Sequence, residues 1–160
     1  KSWACIGHEL DYANRAWIQP GQWSTAVQQE CNEAARDLYA SWIPEVEEYQ
    51  LEDAEIVIAA YGISARISKS VVDLLRKEGI KVGLIRPMTV YPFPYAAFDH
   101  IDYGKCKAVL DVEMSIPAQF VEDVAVAVKE RCPIETCLCS GGNIMSRDAV
   151  IAAVKKINEK

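Results

Sequence analysis

Residues 55–94, EIVIAAYGISARISKSVVDLLRKEGIKVGLIRPMTVYPFP, change hydrophobic period twice, which restricts the fold more than any other stretch. Glu55 to Ala60 is a short apolar run bounded by Asp53 and Gly62, and it reads as a buried strand. From Ala65 the period lengthens. Ile67, Val71, Leu74 and Leu75 fall on one helical face, with Arg66, Lys69, Asp73 and Lys77 mostly elsewhere. Ser64 is the expected N-cap, and Gly79 ends the helix where a left-handed residue is needed. Lys81 to Ile85 is a second strand. A strand, a helix and a strand in this order make a β-α-β unit with a right-handed crossover, and such a unit requires parallel strands.

The same grammar continues downstream. Lys107 to Val112 reads as a third strand, followed by a helix over Pro117 to Lys129 with Phe120, Val124 and Val128 on one stripe. Pro117 is acceptable in a first helical turn. Pro133 to Leu138 is a fourth strand, Gly141-Gly142 a turn, and Ser146 the cap of a last helix with Val150, Ile151, Val154 and Ile157 facing inward. The two prolines of Tyr91–Tyr95 exclude a central strand there and predict a loop leading into a short helix near Ala96 to Ile101. The expected fold is α/β, a three-layer sandwich with a mainly parallel sheet covered on both sides.

The first fifty residues differ. All four tryptophans, Trp3, Trp17, Trp23 and Trp42, lie there. Ser24 is expected to cap a helix with Val27, Cys31, Ala34, Leu38 and Trp42 as its apolar positions, and Pro44 stops or kinks it. A charged connector, EVEEYQLEDAE, follows, with room for a short edge strand around Val46 to Tyr49. The predicted organisation is an N-terminal helical arm over 1–50 and an α/β domain over 51–160. The aromatic arm either docks on its own domain or packs against a missing domain or partner.

Length and charge narrow the function classes. The 160 residues suffice for one domain with a sizeable core, and no apolar run approaches a membrane span. Net charge is −6 with scattered basic residues, which argues against nucleic acid. No signal peptide is legible, so a soluble, cytoplasmic protein is expected. Cys5, Cys31, Cys106, Cys132, Cys137 and Cys139 contain no C-x-x-C pair, and His8 and His100 are isolated, so no metal or iron–sulfur site is expected. In a cytosolic setting all six are expected as reduced thiols, with Cys137 and Cys139 packed as small apolar residues on one strand face.

The wording of several segments is specific. EDAEIVIAAYGISARISKS (Glu52 to Ser70), EGIKVGLIRPMTVYPFP (Glu78 to Pro94), KAVLDVEM (Lys107 to Met114) and VEDVAVAV (Val121 to Val128), with a fainter WACIG at Trp3 to Gly7, carry the match. Together they resemble the α subunit of the 2-oxoacid:ferredoxin oxidoreductases, most closely the 2-oxoisovalerate (branched-chain) type. Members decarboxylate 2-oxoacids oxidatively on thiamine diphosphate with magnesium, pass electrons through iron–sulfur clusters to ferredoxin, and make acyl-CoA. The resemblance covers the part of the subunit that is like the transketolase C-terminal domain. It implies a C-terminal fragment that lacks the pyrimidine-binding domain, binds no cofactor by itself, and assembles with the other subunits of the complex. Two loops depart from the family wording: VEMSIPAQF (Val112 to Phe120) stands where relatives often carry VEMNMGQM, and CLCSGG (Cys137 to Gly142) where a YGR-type run is frequent.

An open α/β sheet receives ligands beyond the carboxyl ends of its strands. The segments arriving there are Tyr61 to Ser64, Arg86 to Thr89, Glu113 to Ser115, and Ser140 to Asn143. The candidate anion-binding residues are Gly62, Ser64, Arg86, Gly141 and Gly142: backbone N–H groups at helix starts plus one guanidinium. The resemblance, rather than the edge itself, implies coenzyme A as the partner to test there. Each also has a structural reading: the glycines as turn residues, Arg86 as one half of an ion pair, and Glu113 as a solvated strand end. No nucleophile–base pair, metal site or P-loop supports independent catalysis. Three functions follow. The first is a non-catalytic domain of the oxidoreductase subunit, serving assembly or the positioning of cofactor. The second is the equivalent domain of a transketolase or a 2-oxoacid dehydrogenase β chain. The third is a free-standing organic-anion-binding module.

Overall fold

The strand expected first forms over Ile56–Ala60 (β2), and all five of its residues are buried, as a strand covered on both faces requires. The computed structural model describes residues 24–160. On one side β2 pairs in parallel with Val82–Pro87 (β3), and on the other with Ala108–Glu113 (β4). Ile134–Leu138 (β5) extends the parallel set beyond β4, from Val109↔Ile134 to Glu113↔Leu138. Val46–Tyr49 (β1) adds an antiparallel edge on β3, from Val46↔Pro87 to Tyr49↔Leu84. The order among the described residues is therefore β1-β3-β2-β4-β5.

Helices cover both faces. Gly62–Lys77 (α2) and Arg147–Asn158 (α4) bury Val71, Val72, Leu75, Val150, Val154 and Ile157 against Ile56, Ile58, Leu84, Leu110 and Val112. On the opposite face Phe120–Val128 (α3) and a 3-10 helix, Tyr95–His100, enclose Val57, Ala59, Ile85 and Val109 together with Phe93 and Phe98. Cys137 and Cys139 both pack against the first of these clusters, on one side of β5.

Several boundaries move for physical reasons. Ser64 is not an N-cap: α2 opens at Gly62 with Tyr61 in the cap position, and Ser64 lies buried in its first turn. Gly62 takes φ +56 at the strand-to-helix turn, a conformation side chains resist, so the turn closes before Ser64 is reached. The inward face of α2 is Ser64, Ala65, Ser68, Val71, Val72 and Leu75, while Leu74 is exposed; small residues let the helix lie close on the sheet. α3 starts at Phe120 rather than Pro117, because residues 114–119 close a loop back onto Glu113. The edge strand lies in the compact unit Ile43–Lys160 with the strand it pairs with.

The other compact unit ends at Trp42 and contains, among the described residues, the helix Thr25–Ala40 (α1). Ser24 caps it as expected, its Oγ accepting the Val27 N–H at 3.2 Å. The expectations for Trp3, Trp17, Trp23, Cys5, His8 and the WACIG match lie outside the described residues.

Gly83 on β3 shows how closely the chain packs. A Cβ there would meet the Gln50 carbonyl at 2.7 Å and the Ala54 Cβ at 3.0 Å, where the β1–β2 connection crosses over the strand. Gly83→Ala is expected to lower stability by about 2 kcal/mol, the scale of core overpacking. Urea denaturation checks it, and an unchanged midpoint would mean that the connection yields freely.

Candidate functional site

α2 and α3 leave the neighbouring ends of β2 and β4 toward opposite faces, so the carboxyl edge has its switch point between these two strands. Aromatic packing occupies that point. The Tyr61 ring meets Phe120 at 5.0 Å between centroids, and Phe93 meets Phe120 at 5.9 Å.

Beneath the rings lies Glu113, the last residue of β4 and 1% exposed. It is not a solvated strand end. Its Oε1 accepts the N–H groups of Gln119 at 2.9 Å and Val121 at 3.4 Å, its Oε2 accepts that of Phe120 at 3.1 Å, and the Ser115 hydroxyl also donates to it. The carboxylate thus caps the start of α3 from outside the helix, where orphan N–H groups and the positive end of the dipole favour an anion. Burial works to raise its pKa, but the hydrogen bonds from Ser115, Gln119 and Phe120 prevail and hold it below the ordinary value.

Two residues earlier on the same strand face, Asp111 is fully buried, and neither carboxyl oxygen has a hydrogen-bond partner. Burial, with the Glu113 charge beside it, pushes its pKa up to about 8. At neutral pH it is mainly the uncharged acid. Asp111 escaped the sequence reading, although an acid inside the run AVLDV of a central strand was the available signal.

The residues singled out from sequence are dispersed along the edge. Gly62, Gly141 and Gly142 all have positive φ and shape turns. Ser64 is buried in α2. The Arg86 guanidinium pairs with Glu47 Oε2 at 3.1 Å, and Lys69 closes on the other oxygen of the same carboxylate. Hydrogen bonding from Lys69 and Arg86 keeps Glu47 ionised below the usual range despite some burial. In the strand order, β2 and β4 lie between the Arg86 strand and the strand leading to Gly141-Gly142. Three strand spacings, about 14 Å, therefore separate these candidates. His100 Nδ1 is 2.8 Å from Glu48, away from the edge glycines in sequence. Among the described residues no three His, Cys, Asp or Glu side chains converge where a metal ion could be held.

What the edge does present is apolar. Fifteen large hydrophobic side chains are exposed among the described residues, and nine belong to this edge. They are Tyr61 and Ile63 after β2, Met88, Val90, Tyr91 and Tyr95 after β3, Met114 and Ile116 after β4, and Ile144 after β5. Of the other six, four lie between Val27 and Ile43, and only Leu74 and Val126 occupy helix surfaces of the α/β unit. Apolar exposure concentrated on one end of a sheet marks a surface that packs against something.

Comparison with known proteins gives consistent matches. The family described as "Pyruvate:ferredoxin oxidoreductase core domain II" matches residues 54–150. A ketoisovalerate oxidoreductase subunit VorB from Methanothermobacter marburgensis is 43% identical over 111 residues, covering 69% of this chain and 31% of that protein. The chain spans about a third of the length of the curated VorB relatives it matches. Among solved structures, a 2-oxoglutarate:ferredoxin oxidoreductase from Magnetococcus marinus, with 2-oxoglutarate, coenzyme A and succinyl-CoA bound, aligns with TM-score 0.61 at 21% identity, over 90% of this chain and 24% of that one. A split-gene transketolase, an inactive β4 tetramer, aligns with TM-score 0.58 at 19% identity, over 71% of this chain and 41% of that one. At these identities the structural likeness speaks to the fold, an α/β sandwich of the transketolase C-terminal type.

Proposed function

We propose, because this chain belongs to the pyruvate:ferredoxin oxidoreductase core domain II family, that it is a non-catalytic assembly domain of a 2-oxoacid:ferredoxin oxidoreductase subunit. The complex would oxidise a 2-oxoacid to its acyl-CoA with thiamine diphosphate, magnesium and iron–sulfur clusters held elsewhere, and reduce ferredoxin. The ketoisovalerate type is favoured by the 43% and 40% identities to VorB subunits. The observation that carries the reading is the apolar carboxyl edge, which joins exposed hydrophobic side chains from four successive loops. The proposed occupant is a further part of such a subunit, since the chain spans about a third of the length of its VorB relatives. An anion such as coenzyme A belongs to the same proposal with narrower support. The turn glycines at 62 and 142 face open space and Gly141 lies beside Asn143, but Ser64 is buried and Arg86 is engaged by Glu47.

The test uses Ile116→Glu and Ile144→Glu, both at exposed edge positions. In this chain alone each is expected to shift stability by no more than about 0.5 kcal/mol, the usual range for surface changes. In the full-length subunit the same pair is expected to increase binding of a hydrophobic dye and to reduce recovery of the assembled complex and its 2-oxoacid-dependent ferredoxin reduction. Unchanged assembly and activity would overturn the docking role of the edge. A thermal-shift series with coenzyme A, 2-oxoisovalerate and a sulfate control then decides whether the edge also binds an anion.

A further inference from the structure

Cys106 and Cys132 precede neighbouring strands, two residues ahead of Ala108 and of Ile134, and stand one residue out of register, since Val109 pairs with Ile134. The strands are joined at this end, the Val109 N–H donating to the Pro133 carbonyl at 3.0 Å. Both side chains enter the same apolar cluster, Cys106 buried and Cys132 half-buried, and both are free thiols. The Cys106 thiol donates to the Ala108 carbonyl at 3.5 Å, and each thiol lies near enough to influence the ionisation of the other. A one-residue offset between strands about 4.8 Å apart sets the two Cα atoms about 6 Å apart, inside the separation of about 4.4–6.8 Å that a disulfide spans.

The surroundings fix this juxtaposition. Arg131, next to Cys132, donates to the carbonyls of Ala127 and Val128, both at 2.8 Å, pairs with Asp99 at 2.8 Å, and lies over the Tyr103 ring at 4.0 Å. It therefore ties the segment bearing Cys132 to the segment leading to Cys106. Cys132 also lines a surface hollow of about 510 Å³ with Ala125, Glu130, Arg131, Pro133 and Ile134, which gives a small oxidant access to it.

We propose that Cys106 and Cys132 are a redox-active thiol pair, closed to a disulfide by a hydroperoxide and reopened by a thiol reductant. The Cys132 sulfur, as thiolate, attacks one peroxide oxygen. An S–O bond forms, the O–O bond breaks, and the departing hydroxide takes a proton to become water. The Cys106 sulfur then attacks the resulting sulfenic sulfur; the S–S bond forms, the S–O bond breaks, and a second water leaves with the Cys106 proton. Two thiols lose two electrons, and one hydroperoxide, here hydrogen peroxide, is reduced to two waters. The order follows from the surroundings. Burial raises both thiols, Cys106 to about 12; the neighbouring Cys106 thiol and the Arg131 charge act in the opposite direction on Cys132, which stays raised but is the more readily ionised of the two. Cys137 and Cys139 are poorer candidates, since alternate residues of one strand lie about 6.6 Å apart, near the outer limit for a bridge.

The full chain is treated with graded hydrogen peroxide, alkylated, and mapped as non-reduced peptides, with exposed Cys31 as the dose control. The expected result is a Cys106–Cys132 link with a mass loss of about 2 Da, two hydrogens, reversed by dithiothreitol. Cys106→Ser is expected to leave Cys132 as a sulfenic acid trapped by dimedone, and Cys132→Ser to leave Cys106 alkylatable. If either variant fails to fold, the wild-type map alone decides. Full alkylation of both thiols at doses that oxidise Cys31, or a link to a different cysteine, would overturn the proposal.

Discussion

Glu113→Ala should destabilise this domain by about 3–5 kcal/mol, on the scale of removing one partner from a buried charged network. Three backbone N–H groups, of Gln119, Phe120 and Val121, and the Ser115 hydroxyl lose their acceptor at once. These groups begin α3, and the Phe120 ring they position belongs to the aromatic contact with Tyr61 and Phe93. One effect works the other way: without the Glu113 charge beside it, ionising the buried Asp111 costs less. That relief is smaller, because burial is the larger cause of the Asp111 shift. Glu113→Gln should cost less, about 2–3 kcal/mol, since one acceptor oxygen survives while an amide donor faces N–H groups. The measurement is urea denaturation at pH 7, supported by amide exchange at Phe120 and Val121. A loss under about 1 kcal/mol for Glu113→Ala would mean that water replaces the carboxylate without penalty.

The β-α-β unit was legible because its signals are local. An apolar run, a change of period and a terminal glycine each act over a few residues, and β2, α2 and β3 formed within a few residues of where they were read. Local signals also explain the misses. Ser64 has cap chemistry, but the turn at Gly62 starts the helix earlier. Leu74 has the right hydrophobicity, but the small residues Ala65 and Ser68 set which face approaches the sheet. β1 depends on pairing with β3, a contact far along the chain, so it was read only as an option within a charged connector. The same pairing sets Glu47 opposite Arg86 and so takes up the guanidinium. Glu113 was misread because its partners arrive from six to eight residues downstream, through a loop whose path sequence does not specify.

Asp111 should make stability fall as pH rises from about 4 to about 8. Its pKa is about 8 in the folded chain and about 3.9 when unfolded. Between these values the folded state holds a proton that the unfolded state has released, and raising the pH favours unfolding by about 1.4 kcal/mol per unit. By pH 7 the accumulated loss is about 4 kcal/mol relative to pH 4, and it levels off above the folded value. Glu113 has the opposite sign. Its folded pKa is lowered, so its contribution is present above the unfolded value and is lost as pH falls through the folded one. The two carboxyls together place a maximum of stability on the acid side of neutrality. Asp111→Asn removes the titration while keeping the shape. It should flatten the decline between pH 4 and 8 and raise stability at pH 7 by about 2–4 kcal/mol, part of the gain being lost to an amide in an apolar site. Urea denaturation of both proteins across this range gives the comparison, in which shifts shared by the remaining surface carboxylates cancel. Parallel profiles would show that Asp111 is ionised in the folded chain, with water or a moved donor satisfying it. A slope confined to the wild type would identify the buried acid beside Glu113 as the group that sets the pH response of the β4 end.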